Sequence, residues 1–407
     1  MTEPWLEGPT SPPATRSGGL ARPDRDRPTW IAYVQLAFWA WFLYAFGATQ
    51  ALLRDEQGTT RSVAALHGTA LAIGGLVGAL LTAKAVALWG RGAVMRVAAL
   101  AAVASILVYT WPGATPPVSM AGAALCSFFG TFLLITINAF LLDYQGEAGP
   151  ASLTEANALA SFMGLLGPLA IGLGAATVLG WRWGVWIVVI ALVAVEVWRG
   201  RHVAVFGTRG LAQHEAEGGR FRAPVYWSLG AIMCFLGAEF SLTFWGADLL
   251  RERCGFGAAA AAASIASITG GMLIGRLWGS RLAQRMSTER LLKGSIVVAL
   301  LAFVLAWSFT LWPVVLLGLL LTGIGIGVHW PLGVARVVRA SGGMTDRASA
   351  AASIAGSVSI AIAPFALGTL SDTIGFQWAF LLVPLFLAIA LVILVIRPVA
   401  DDGPTQR

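Results

Sequence analysis

The sequence predicts an all-α integral membrane protein with twelve transmembrane helices arranged as two six-helix repeats, and three observations carry that prediction. The 407-residue chain is 57% hydrophobic and only 12% charged, with a mean hydropathy of +0.76. A soluble domain carries roughly 25% charged residues, so this chain has too few to clothe a water-exposed surface. It also contains apolar runs near 31–53, 62–83, 95–111, 117–142, 156–179, 183–198, 225–250, 257–280, 294–311, 314–335, 349–370 and 376–396. A span needs about 20 such residues to cross roughly 30 Å of hydrocarbon. Finally, the longest internal polar stretch, 199–223, divides the runs six and six, and the two sets share local sequence.

Residues 1–28 are rich in Pro, Gly, Arg and Asp and have no period that buries a face, so they are expected to form a disordered cytoplasmic tail. The first apolar run begins after this tail and is too long for the core of a secretory signal, which makes it a retained span. A six-helix bundle is expected over 29–198, a cytoplasmic linker over 199–224, a second bundle over 225–398 and a short cytoplasmic tail over 399–407. Within the second bundle, no charge separates Lys293 from Arg336. One helix of that length does not fit a bilayer, so Trp312-Pro313 must turn a hairpin.

Orientation follows from Lys and Arg in the connecting segments. Placing the N-terminus inside puts 22 of the 27 basic residues on the cytoplasmic side, Arg276 and Arg285 among them. Arg54, Arg61, Arg182, Arg251 and Arg253 remain outside. Both termini are therefore expected in the cytoplasm. The net charge of +7 is spread over these short clusters and makes no patch for nucleic acid. Cys126, Cys234 and Cys254 lack metal-ligand spacing, and two of them sit inside apolar runs, which favours small core residues over a disulfide or a zinc site. No HExxH, GxSxG or nucleotide-binding run is present, so neither an enzyme, a metal centre nor an ATP-driven pump is expected.

The internal duplication rests on three islands. Leu52-Leu53-Arg54-Asp55-Glu56-Gln57-Gly58 matches Leu249-Leu250-Arg251-Glu252-Arg253-Cys254-Gly255 at an offset of 197, and Gly74 and Gly78 match Gly271 and Gly275 at the same offset. Gly180-Trp181-Arg182-Trp183 resembles Gly375-Phe376-Gln377-Trp378 at an offset of 195. Matches at nearly one offset, in the same place of each half, point to parallel repeats.

With those features in place, residues 29–398 resemble the major facilitator superfamily of secondary transporters. The resemblance implies two six-helix halves around a midplane site, rocked for alternating access. The family signature between the second and third helices is G-x-L-a-D-R-x-G-R. Here Ala87-Leu88-Trp89-Gly90-Arg91 keeps the Gly-Arg and loses the acid, and the loop Arg281 to Ser287 of the second half keeps Arg285 with Gln284 where the acid belongs. In the fifth run, Gly164-Leu165-Leu166-Gly167-Pro168, followed by Gly172 and Gly174, resembles the glycine-proline motif of the drug-export branch. Small residues let helix backbones approach and Pro168 frees a carbonyl, so gating and plain packing both fit. In the seventh run, the segment from Gly237 to Gly255 resembles the sugar and fucose permeases, which points in the opposite direction of transport.

Polar side chains inside the runs are the candidate site. Glu239 is the one acid near the middle of a span, where an unpaired carboxylate costs several kcal/mol when ionised. It is the first candidate for proton coupling, and helical spacing aligns it with Ile232, Phe235, Thr243 and Gly246. His329 is the second, at a helix break expected from Trp330-Pro331. Gln35, Trp39, Tyr44, Asn138, Asn157, Phe235, Thr243, Trp245 and Trp330 are candidates for a ring-lined substrate cavity, with helix-to-helix hydrogen bonding as the competing role for the polar members. Gly90, Arg91, Gly164, Gly167, Pro168, Gly172, Gly275, Arg276 and Arg285 are candidates for gating or packing. Glu196 is expected to pair with Arg199 or Arg201, and His67 is a weaker site candidate.

The expected function is transport of a small organic molecule, driven by a proton or other ion gradient and without a bound cofactor. Export of a drug-like or amphipathic metabolite and uptake of a sugar-like solute both stand. A receptor or an intramembrane enzyme is the remote alternative. The expected partners are the lipid bilayer and the substrate, with the chain acting as a monomer. An Arg-, Ala- and Gly-rich composition fits a GC-rich bacterial gene and hence a plasma (cell inner) membrane.

Overall fold

The computed structural model describes residues 23–200, 204–207, 221–283, 285–342 and 345–399. Most of the expected N-terminal tail, most of the 199–224 linker and residues 400–407 lie outside these. The first half is built of α1 (Arg27–Gln57), α2 (Arg61–Trp89), α3 (Arg91–Tyr109), α4 (Pro116–Gln145), α5 (Gly149–Ala175) and α6 (Arg182–Arg199). The second half comprises α7 (Ala223–Cys254), α8 (Ala258–Leu282), α9 (Thr288–Ser308), a tenth span broken into α10 (Trp312–Ile326) and α11 (His329–Ala340), α12 (Thr345–Ile374), and a last span broken into α13 (Phe376–Ala379) and α14 (Leu382–Ile396). Among the described residues there is no strand.

The helices outrun the apolar stretches because their ends are capped by polar residues that the bilayer edge tolerates. Asp26 accepts from the Thr29 amide at 3.0 Å to start α1, so the helix begins inside the stretch expected to be tail. Asp24 and Arg25 bind Gln145 and Glu155, which ties the described end of that stretch to α4 and α5. Thr60 and Ser287 cap α2 and α9 in the same way. Prolines occupy the first turns of α1, α4, α5, α7 and α10, where a missing N–H costs nothing. Pro313 thus begins α10 after the hairpin, as the uncharged stretch required.

Eleven spans are long and apolar enough to cross a membrane among the described residues. The twelfth, α6, is 18 residues long and carries Arg182, Glu196 and Arg199. All three are paired: Arg182 with Glu56 at 2.7 Å, and Glu196 with Arg199 at 3.3 Å and Arg96 at 3.2 Å. Pairing removes the cost that would otherwise keep such charges out of a span.

The repeat islands occupy equivalent positions. Gly58 and Gly255 end α1 and α7 in the left-handed conformation, at φ of 60° and 67°. Gly180 and Gly375 introduce the sixth span of each half, at φ of 75° and 86°. Gly74 and Gly78 lie against the backbone carbonyls of Ala124 and Phe128 on α4, and Gly271 and Gly275 lie against those of Leu320 and Ile324 on α10. A side chain at any of these four glycines would strike a carbonyl of the neighbouring helix. Association in lipid lacks a hydrophobic drive and depends on such close backbone approach, which is why these positions match when most others do not.

The halves meet where α1 crosses α7 and α8, α2 crosses α12, and α5 crosses α8. Ion pairs join the halves at the face bearing the α1–α2 and α7–α8 turns. Arg54 holds both oxygens of Asp248 at 2.8 Å, Arg251 holds Asp55 at 2.7 Å, and Arg61 pairs with Glu252. Ser62 binds Asp372 through its amide at 3.1 Å and its hydroxyl at 2.5 Å. Beneath these contacts, Gly47 lies on the Thr243 carbonyl, Gly68 on the Phe244 ring and Gly172 on Ala259 and Ala263. The halves are latched together at this face.

Candidate functional site

Below the latch, the seam between the halves contains few polar groups, and they converge. Tyr44, Ser161 and Glu239 each sit close to the midpoint of α1, α5 and α7 respectively. Arg276 rises from the last third of α8 to meet them. Its Nη2 donates to the Tyr44 hydroxyl at 2.8 Å, its Nη1 to the Ser161 hydroxyl at 3.1 Å, and its Nε to the Gly327 carbonyl at 3.3 Å. One side chain of the second half is therefore held by two of the first. Tyr44 and Arg276 are partly accessible, whereas Gly47, Thr243 and Phe244, nearer the latch, are buried, so the seam loosens away from the latched face.

The Gly327 carbonyl is available for a reason legible in the chain. Pro331 has no N–H, so the carbonyl four residues earlier receives no helical hydrogen bond. The tenth span breaks at Gly327-Val328, three residues ahead of the expected Trp330-Pro331 position, and Arg276 satisfies the freed oxygen. His329 opens the following helix, fully buried, with its ring stacked on Phe235 at 4.5 Å and neither ring nitrogen hydrogen-bonded. Phe235 lies one turn before Glu239 on α7.

Glu239 is 5% exposed, and among the described residues its carboxylate makes no hydrogen bond or ion pair. Neither Asn138 nor His329 bonds it: Asn138 Oδ1 and both His329 nitrogens are themselves without partners among the described residues. The charge Glu239 feels is that of Arg276.

Other sequence candidates lie elsewhere. Gln35 is consumed by Glu196, to which its amide donates at 2.5 Å inside the first half. Glu196 pairs with Arg199 as expected and also with Arg96. Trp245 is buried and donates to the Pro364 carbonyl at 2.9 Å, joining α7 to α12. Trp39 packs over Gly130 of α4, and Thr243 returns its hydroxyl to the Glu239 carbonyl at 3.0 Å. Asn157 is exposed and bonds only its own helix, at the Leu153 carbonyl. Trp330 rests against Gly356. His67 is tied to Ser119 at 2.7 Å within the first half.

Of the small residues, Gly164 and Gly167 seat α5 on Tyr44, Trp41 and Ala45 of α1, and Gly172 seats it on α8 of the other half. Pro168 lies within α5. Gly90, at φ of 82°, turns α2 into α3, and Arg91 finds in Asp143 of α4, at 2.6 Å, the acid that its own loop lacks. Arg285 is exposed, and Gln284 lies outside the described residues. Arg276, counted with the cytoplasmic charges from sequence, lies within the candidate span Ala258–Gly279. A cleft of about 310 Å³ lined by Leu53, Glu56, Gln57 and Arg182 lies at the latched end of the first half, remote from this site, and its charges pair with one another.

Comparison with solved structures gives the same architecture. A variant of the nucleoside transporter NupG superposes with a TM-score of 0.73 at 13% identity, covering 91% of this chain and 98% of that one. The xylose transporter XylE from E. coli gives 0.70 at 13% identity, with 92% and 98% covered. A variant of the E. coli fucose:proton symporter FucP gives 0.59 at 18% identity, with 91% and 98% covered. A search of curated protein sequences finds no match. The family model described as Major Facilitator Superfamily matches residues 30–309 and 271–407, and with the duplicated halves and the seam between them it identifies the chain as a member of that superfamily.

Proposed function

We propose that this protein is a proton-coupled secondary transporter that takes up a small polar solute across the plasma membrane by alternating access. The observation that carries the reading is the seam itself: an unpartnered buried carboxylate, Glu239, within electrostatic reach of Arg276, which bridges the two halves. A carboxylate at that depth is costly while ionised, and rocking that admits water lowers the cost. Proton gain and loss are thereby linked to which face is open, as coupling requires. Uptake is preferred to export because transporters of nucleosides, xylose and fucose share the fold, and because Gly164 and Gly167 of the export-like run pack within one half.

The test is Glu239→Gln in proteoliposomes with an imposed pH gradient. The amide keeps size and hydrogen bonding and removes titration. Uphill accumulation is expected to fall at least about tenfold while substrate exchange at equal pH persists. Undiminished accumulation would remove Glu239 from the coupling path. Efflux against a gradient, with protons entering, would establish export instead.

A further inference from the structure

We infer that the solute carries an anionic group, a carboxylate or a phosphate monoester, and that Arg276 is its anchor, with Tyr44 and Ser161 as hydroxyl partners. The inference rests on the transport reading above and adds the chemistry of its cargo.

Its first support is the company Arg276 keeps. Arg54, Arg91, Arg182, Arg199 and Arg336 each pair with a carboxylate of this chain within 3.3 Å. That is how this fold uses arginine as structural glue, on the surface and in the interior. Arg276 departs from the pattern: its three hydrogen bonds go to neutral oxygens, and among the described residues no acid comes within ion-pair distance. A guanidinium between helices, solvated by neutral hydroxyls and a carbonyl alone, keeps its net charge uncompensated and is costly to retain for packing.

The second support is geometry. Nε is fixed by the Gly327 carbonyl, which pins the stem and leaves Nη1 and Nη2 to face the first half. There the Ser161 and Tyr44 hydroxyls receive one nitrogen each, at 3.1 and 2.8 Å. Two acceptors on the two terminal nitrogens reproduce what the two oxygens of a carboxylate or phosphate offer to the guanidinium fork. Both hydroxyls can also donate: an anion entering between them and Arg276 gains the Tyr44 O–H as it takes that place, and gains the Ser161 O–H when it turns from the Asn157 carbonyl, to which it donates at 2.9 Å.

The third support is location. The Arg276 contacts join α8 to α1 and α5 across the halves, so an anion placed there bears directly on their relative movement. Of the groups facing Arg276 from α1, α5, α7 and α10, Glu239 of α7 is the acid. With its proton on, no ionised acid among the described residues competes with the cargo for the guanidinium. The site is then selective for negative charge over the neutral counterpart.

The experiment uses the purified full-length protein, with no gradient, and follows thermal stabilisation by probe pairs that share a frame and differ in charge: glucuronate against glucose, uridine monophosphate against uridine, and benzoate against benzyl alcohol. At least one anion is expected to raise the Tm more than its neutral partner, and its apparent affinity is expected to fall at least about tenfold in Arg276→Gln, with part restored in Arg276→Lys. Intact, monodisperse Arg276→Gln with its own Tm keeps a folding defect from imitating lost binding. The inference is overturned if no anion is preferred over its partner, or if the preference survives Arg276→Gln. Because binding is read without a gradient, failure of Glu239 as the coupling group would leave these results unchanged, and failure of the anion site would leave gradient-driven uptake to be tested separately.

Discussion

The two halves share a frame and differ in what the frame carries. At the offset of 197, Glu239 and Arg276 of the second half fall on Phe42 and Ala79 of the first. The glycine contacts align α4 with α10 at an offset of 196, which places His329 on Leu133. Phe42 and Leu133 are buried apolar residues. The second half thus supplies the charge at the seam, and the first supplies neutral hydroxyls, Tyr44 and Ser161, that meet it. What duplication preserved is helix-to-helix spacing, set by glycines where backbones touch. What diverged is the chemistry at buried positions, where Phe42 packs on Trp39 and Tyr109 within the first half and His329 stacks on Phe235 within the second.

The shared frame is broken by the largest perturbation. Gly74→Leu and Gly271→Leu each put a branched side chain into a carbonyl of the adjacent helix, Ala124 or Leu320. Overpacking of a tight site costs about 1–3 kcal/mol and more where backbone must move. Both variants are expected to lose most monodisperse protein on size-exclusion chromatography, and to similar extents. Survival of one with loss of the other would show that the halves do not depend on equivalent contacts.

Next in size is a contrast within one helix. Gly167 sits on Trp41 and Ala45 inside the first half, and Gly172 sits on Ala259 and Ala263 across the seam. Gly167→Leu is expected to lower stability by several degrees, because it forces apart helices that must stay together. Gly172→Leu is expected to leave a folded protein whose halves cannot close at the latched face. Cysteine labelling at Phe240, in a background lacking native cysteines, is then expected to increase from that side. Equal instability in both variants would mean that the seam is as rigid as the halves.

The latch gives a smaller, conditional effect. Asp248→Asn leaves Arg54, a largely buried guanidinium, without its bidentate partner. Breaking a buried pair costs about 3–5 kcal/mol, a cost that any opening at this face which admits water to Arg54 would relieve. The population is therefore expected to shift toward opening at this face, visible as greater labelling of a cysteine at Phe240 in a background lacking native cysteines, with a Tm loss smaller than the pair energy implies. An unchanged labelling rate would show that the ion pairs are passengers of the closed state.

These contrasts also mark what was legible in the sequence. Composition and run length specified the helices, since each span had to bury its backbone in lipid. The repeat islands were visible because glycine contacts and left-handed turns admit few substitutes. Glu239 stood out as the lone deep acid. Arg276 was assigned to the cytoplasm because a charge near the end of a run looks like its boundary, and a linear reading does not show a long side chain rising to the seam. The roles of Gln35 and Trp245 were open for a related reason: depth follows from residue number, but the direction a side chain takes depends on neighbours such as Glu196 and the Pro364 carbonyl. The Pro331 effect fell between these cases, since the freed carbonyl was predictable and its donor was not.

The smallest expected effect concerns the degenerate signature loops. Arg91 recovers an acid from α4, where Asp143 accepts at 2.6 Å, but the Asp143 side chain is 66% exposed. An exposed pair contributes about 0–1 kcal/mol and is screened by salt. Asp143→Asn is therefore expected to shift the Tm by at most a degree or two at low ionic strength, and by less at high salt. Arg285, in the corresponding loop of the second half but three motif positions earlier, is exposed and has no carboxylate partner among the described residues. Arg285→Gln is expected to leave stability unchanged at any salt. A salt-sensitive loss for Asp143→Asn with none for Arg285→Gln would confirm that the first half alone keeps a charge contact at this loop. Equal, larger losses in both would mean that a conformation other than this one engages Arg285, with the two signature loops acting as partners when the face opposite the latch closes.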